Sequence, residues 1–199
     1  LLAVSKMRTS QEIRAMHAAG QAAFGENYVQ EAMGKQSDLA DIATSLQWHL
    51  IGHLQSNKAK EAANHFDWVQ SVDRRKLVEA LADARPSHLL PLNVLVQVNI
   101  DDEAGKHGCR PDEVEALCDA IVTRPNLALR GLMAIPAPSD DPAIRRAAFA
   151  AMRALFDQMK ARFPSMDTLS MGMSDDAEVA IAEGSTMVRI GTALFGPRD

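Results

Sequence analysis

Two short segments near the end of the chain carry the residues best suited to chemistry, Ser170-Met171-Gly172-Met173-Ser174 and Val188-Arg189-Ile190-Gly191-Thr192. Each reads as an apolar strand that stops at small or hydroxyl residues, and one helix-length stretch separates them. Two neighbouring strand ends of this kind offer backbone N–H groups and hydroxyls to one anion, the composition of a phosphate cradle. A lysine ends the opening segment Leu1-Leu2-Ala3-Val4-Ser5-Lys6, whose apolar residues bury the stem and leave the amine at a strand mouth. A desolvated amine has a lowered pKa and offers the neutral nucleophile that imine formation requires. Lysine and phosphate cup together point to pyridoxal phosphate.

The elements that must position these groups alternate along the chain. Short runs rich in Val, Ile and Leu read as strands over Leu1 to Ser5, Ala22 to Gly25, Gln47 to Gly52, Trp68 to Ser71, Leu92 to Ile100, Ala128 to Ala134, Thr168 to Met171 and Thr186 to Ile190. Between them lie helical patterns, among them Asp73 to Ala84 with Asp73 as N-cap, and Pro111 to Thr123 with Pro111 in its first turn. The longest, Pro142 to Phe163, has a buried stripe of Phe149, Met152, Leu155, Phe156 and Met159. A further helix is expected over Ser174 to Ala182, capped by Ser174. Strict alternation predicts a parallel sheet, because a parallel return needs a crossover. Polar residues recur after many strands (Lys6, Asn27, His53, Ser71, Asn99, Ser174, Thr192), which favours a closed (β/α)8 TIM barrel over an open sheet. The tail Thr192 to Asp199 is a poor helix, and Leu1 already lies in a strand pattern, so an upstream helical segment is expected to be missing.

Composition excludes several classes. At 199 residues and 47% hydrophobic, the chain fits one α/β domain over residues 1–199. The net charge of -5 and the scattered basic residues argue against nucleic acid. No apolar run approaches the roughly 18 residues of a membrane span. Cys109 and Cys118 form neither a disulfide framework nor a thiolate metal site, which fits a reducing cytoplasm. His49 and His53 have the spacing of two ligands on a helix, but Trp48-His49-Leu50-Ile51-Gly52 reads as strand and no carboxylate pair completes a site, so no metal is expected. The acidic run Asp101-Asp102-Glu103 with Lys106 reads as a solvated loop.

Taken together, Leu1 to Lys6, Phe24-Gly25-Glu26-Asn27, Trp48 to Lys58, Gly131-Leu132-Met133-Ala134-Ile135-Pro136, Leu169 to Ser174 and Val188 to Thr192 closely resemble the pyridoxal phosphate homeostasis proteins, in order and with compatible spacing. The resemblance implies a single-domain α/β barrel of the alanine racemase N-terminal type that binds pyridoxal 5'-phosphate as a Schiff base. It also implies a role in cofactor supply without an established catalytic reaction, with apo-enzymes as recipients and a monomeric state. Met7-Arg8-Thr9 departs from the proline-containing segment common in the family.

On this reading Lys6 is the Schiff-base lysine, and Ser174, Gly191 and Thr192 hold the phosphate. The resemblance sets the Arg189 guanidinium against the pyridine nitrogen, where a permanent cation disfavours protonation and weakens the ring as an electron sink. Asn27 is assigned to the ring's 3-oxygen or a neighbour, with a turn-forming Asn as the alternative. Met133 packs on the ring face or is an inward core residue. The alternative function is an amino-acid racemase on the same barrel. Racemisation needs acid/base groups on both ring faces, and Tyr28 is the chain's one tyrosine. A blander alternative is a barrel that binds another phosphorylated metabolite without covalent chemistry.

Overall fold

Eight short apolar segments pair side by side as parallel strands: β1 (Leu2–Val4), β2 (Ala23–Glu26), β3 (Gln47–Leu50), β4 (Trp68–Val72), β5 (Leu92–Val98), β6 (Leu127–Ala134), β7 (Thr168–Ser170) and β8 (Arg189–Ile190). The computed structural model describes residues 1–103 and 105–197. Strand order is β7-β6-β5-β4-β3-β2-β1-β8. Ser170 bridges Met187 in parallel, and the Arg189 N–H donates to the Gly172 carbonyl at 3.0 Å, so the two edges meet and the sheet closes as a barrel. Around it lie α1 (Ser10–Ala18), α2 (Val29–Asp38), α3 (Ala59–His65), α4 (Arg75–Ala84), α5 (Val114–Val122), α6 (Pro142–Arg162), α7 (Ala177–Ala182) and α8 (Thr192–Phe195). No helix among the described residues is long and apolar enough to cross a membrane.

Two separate cores follow from this architecture. The large one fills the shell between strands and helices, with α6 packed on β6 and its stripe Phe149, Met152, Phe156 and Met159 buried while Leu155 is only half-buried. The small one, Trp68, Leu95 and Met133, forms a second, isolated apolar cluster. The register between β5 and β6 slips at Val94/Leu95, where Arg130 is the extra residue of a bulge. Glycine follows it because a Cβ at Gly131 would stand 1.8 Å from the Thr168 carbonyl oxygen. Both cysteines are buried thiols, pushed up to about 12 by desolvation, and neither is bridged.

Two local expectations are corrected. The residue preceding α4 is Arg74, without a side-chain cap, because the Asp73 carboxylate is engaged by Arg74 itself. Ser174 does not cap a helix: Asp176 Oδ1 accepts from the Met173 N–H, a turn occupies 174–176, and α7 starts only at Ala177. The tail is the poor helix expected, a single turn over Thr192–Phe195.

The end of β1 is fixed by a buried ion-pair node. Ser5 Oγ donates to Glu26 Oε1 at 2.5 Å, and Lys35 Nζ, reaching in from α2, donates to the same oxygen at 2.8 Å. Lys35 also donates to the Ser5 carbonyl and to Glu31 Oε1, both at 2.7 Å. Glu31 in turn accepts from the Met7 N–H at 2.5 Å. The residues before and after Lys6 are therefore both tied to Lys35. The tie is needed because Met7 has φ 62°, a left-handed conformation that costs a non-glycine residue roughly 1–2 kcal/mol. Burial raises the Glu26 pKa, opposed by Lys35 and Ser5, so removing the ammonium leaves a carboxylate with no adequate solvation. Lys35→Met should lower stability by about 3–5 kcal/mol in urea denaturation, and Glu26→Gln added to it should recover part of that loss. An additive, further loss from the second substitution would show that the pair is not coupled.

Candidate ligand site at the barrel mouth

Where strands stop, their carboxyl ends and the loops that follow surround a cavity of about 500 Å3, within the size range of small-molecule sites. This is the face of a (β/α)8 barrel at which strand ends from different parts of the chain converge. The cavity is lined by Lys6 after β1, Asn27 after β2, Ser174 after β7, and Arg189, Gly191 and Thr192 on and after β8. Six of the seven residues singled out in the sequence are thus brought together. Met133 is not: it is fully buried in the small apolar cluster with Trp68 and Leu95, and does not line the cavity. Its place as an inward core residue is the simpler of its two readings.

Arg189 is the centre of the site's electrostatics. It is 3% exposed, Nη1 donates to Ser170 Oγ at 2.8 Å, and Nη2 donates to the Ala134 carbonyl at 2.8 Å. Ser170 Oγ donates to Gln70 Oε1 at 2.7 Å, and Gln70 Nε2 lies 2.9 Å from His49 Nδ1. A polar relay thus crosses the barrel from β8 through β7 and β4 to β3. Burial lowers the Arg189 pKa to about 10, so the guanidinium stays charged at neutral pH. Among the described residues its hydrogen-bond partners are a hydroxyl and a carbonyl and no carboxylate, although the Asp176 charge favours the cation. Burial pushes His49 down to about 3, so this imidazole is neutral, and it stacks on Trp68 at 5.0 Å.

Of the other residues weighed in the sequence, His49 and His53 go to different places. His49 is in the barrel interior, whereas His53 lies beyond the end of β3 on the cavity rim, so they make no pair. Asn27 is packed by its backbone against Gly52, where a Cβ would stand 2.2 Å from the Asn27 carbonyl oxygen. Tyr28 is 64% exposed and lies outside the cavity lining. Lys106 pairs with Glu103 at 2.8 Å and Asp101 at 3.5 Å, as a solvated loop would arrange it. The sequence reading missed Gln70, and it missed the closeness of His53 to His107; strand alternation with two polar residues, Gln70-Ser71, inside an otherwise apolar run was the available signal for the first.

The family model for the alanine racemase N-terminal domain matches residues 1–199. A pyridoxal phosphate homeostasis protein from Pseudomonas aeruginosa is 55% identical over 199 residues, covering all of this chain and 84% of that protein. Its counterpart from Escherichia coli K12 is 50% identical over 200 residues, again covering all of this chain and 86% of the relative. PipY of Synechococcus elongatus, solved without PLP, superposes with a TM-score of 0.92 at 40% identity over 98% of this chain and 91% of PipY. The same protein with PLP bound superposes at 0.89, with 39% identity over 98% and 92% of the two chains. A barrel built from one alanine racemase N-terminal domain, with these identities along its whole length, belongs to the pyridoxal phosphate homeostasis protein family.

Proposed function

We propose that this protein holds pyridoxal 5'-phosphate reversibly at the barrel mouth, with Lys6 as the covalent attachment point, and serves cofactor supply and not amino-acid turnover. The observation that carries the proposal is the convergence of Lys6, Ser174, Gly191 and Thr192 on one cavity with a buried guanidinium that, among the described residues, no carboxylate pairs. A buried cation beside hydroxyl and backbone donors fits an anionic, aromatic ligand, and the cavity volume fits a molecule of this size. PipY with PLP bound, of similar fold and sequence, supports the same ligand.

In this reading Ser174 and Thr192 supply hydroxyl donors to the phosphate, and Gly191 leaves its backbone open beside Val4, the nearest atoms a Cβ would meet being at 3.5 Å. Arg189 stands toward the pyridine nitrogen and keeps it unprotonated by charge, while Asn27 is placed for the ring's 3-oxygen. The cofactor, when bound, supplies an aldehyde that condenses with a primary amine. Lys6 provides that amine, and the Lys35 node holds the backbone on either side of it. The protein then acts in the cytoplasm as a monomer that releases cofactor to apo-enzymes. A racemase would require a second acid/base group across the ring, and Tyr28 points this chain away from that reading because it is solvent-exposed and does not line the cavity.

Three outcomes test the proposal. The protein incubated with pyridoxal phosphate should turn yellow, and borohydride reduction followed by peptide mapping should place the pyridoxyl group on Lys6; a label wholly on another lysine would overturn the assignment. Hydrogen bonds to a charged group are worth roughly 1.5–3 kcal/mol each, so Ser174→Ala should weaken cofactor retention about tenfold or more in a dialysis titration. Chiral chromatography of alanine and serine incubated with loaded protein should show no turnover that depends on Lys6. Lys6-dependent conversion at about 1 per second or faster would establish a racemase instead.

A further inference from the structure

A second cluster of donor side chains sits at the edge of the mouth. His53 follows β3, Asp73 follows β4, and His107 lies in the loop between β5 and α5. One ligand atom from each lies within 4.8 Å of the other two. The imidazoles of His53 and His107 stack with ring centroids 3.8 Å apart and 15° between planes, which sets two nitrogen donors side by side. Both rings line the mouth cavity.

The Asp73 carboxylate is oriented by its surroundings. Its Oδ1 accepts from Arg74 Nη1 at 2.5 Å, and the same guanidinium is anchored through Nη2 on the Leu54 carbonyl at 2.8 Å and on Ser56 Oγ at 3.3 Å. That leaves Oδ2 directed at His53 Nδ1 across 3.9 Å, too long for a hydrogen bond. The separation suits a shared ion. With metal–nitrogen and metal–oxygen distances of about 2.0–2.2 Å, two ligands of one tetrahedral Zn(II) stand roughly 3.3–3.6 Å apart, a few tenths of an ångström inside that separation. The widest separation in the cluster closes by rotation of exposed imidazoles, which no core packing opposes. Lys106, the residue before His107, is neutralised by Glu103 and Asp101.

We propose that His53, Asp73 and His107 form an open, three-ligand site for a divalent ion of the Zn(II) type. Two imidazoles and one carboxylate are the ligands that borderline metals prefer over Mg(II) or Ca(II), which favour oxygen. Arg74 acts on the carboxylate from outside, as an orienting partner does at known metal sites, and partly offsets its charge. Three protein ligands leave a coordination position for water or for a group entering the cavity. The site rests on its own side chains and does not depend on how the mouth binds its cofactor.

The test uses the full chain, freed of cofactor and treated with chelator, then dialysed against Zn(II) and analysed for metal. One equivalent per chain should be retained, and Co(II) in its place should give visible d–d bands. His53→Ala, His107→Ala and Asp73→Asn should each weaken Zn(II) binding about tenfold or more. His88→Ala, at an exposed histidine elsewhere, should leave it unchanged. The two imidazoles face solvent, so their removal should leave the fold intact, checked by circular dichroism. Sub-stoichiometric retention, or binding that the three variants weaken no more than His88→Ala does, would overturn the site.

Discussion

A guanidinium inside a barrel is the constraint to which the rest of this site answers. Arg189 sits on the last strand, is almost wholly removed from water, and hydrogen-bonds to no carboxylate among the described residues. Taking such a charge out of water costs several kcal/mol, and the barrel offsets it with dipoles. Ser170 and the Ala134 carbonyl accept from it, Gln70 holds Ser170, and His49, kept neutral by burial, closes the chain on the far side. The interior is accordingly polar near the mouth, with an apolar cluster of three residues, Trp68, Leu95 and Met133, apart from the main core.

The same barrel solves a second problem by a different device. The residue proposed to carry the cofactor, Lys6, lies in a turn with a left-handed residue directly after it. That turn is held by Lys35, which bonds the Ser5 carbonyl and reaches the Met7 N–H through Glu31. A helix one strand further along the chain thus fixes the backbone on either side of Lys6. The buried Arg189 cation and the turn that carries Lys6 are set by separate networks, so one can be altered without the other.

Much of this was legible in the chain. The alternation of apolar runs and helical patterns gave eight strands because a barrel strand buried on both faces reads as a continuous apolar run. Lys6, Gly191 and Thr192 announced themselves because each stands where such a run stops. Other parts were hidden for physical reasons. The Gln70–Ser170 contact joins residues 100 apart, and the pairing depends on how two strands stagger in the closed sheet. Ser174 reads as a cap, yet Asp176 takes the turn-forming role two residues later and leaves the hydroxyl to the cavity. Met133 could pack on a ring face or in the core from the same inward side of its strand, a choice period-two spacing cannot make, and the structure buries it with Trp68 and Leu95. His53, Asp73 and His107 come from three loops whose approach only the barrel's curvature determines.

The central claim is that a charged Arg189 governs the cofactor's electronics, and it has a direct readout. Protein loaded with pyridoxal phosphate labelled with nitrogen-15 in the ring should show, at neutral pH, the resonance of an unprotonated pyridine nitrogen. Arg189→Glu, if it folds, or otherwise Arg189→Gln, should move that resonance toward the protonated position. A protonated nitrogen in the native protein would contradict the account, because the ring would then be a strong electron sink and the chain equipped for carbanion chemistry.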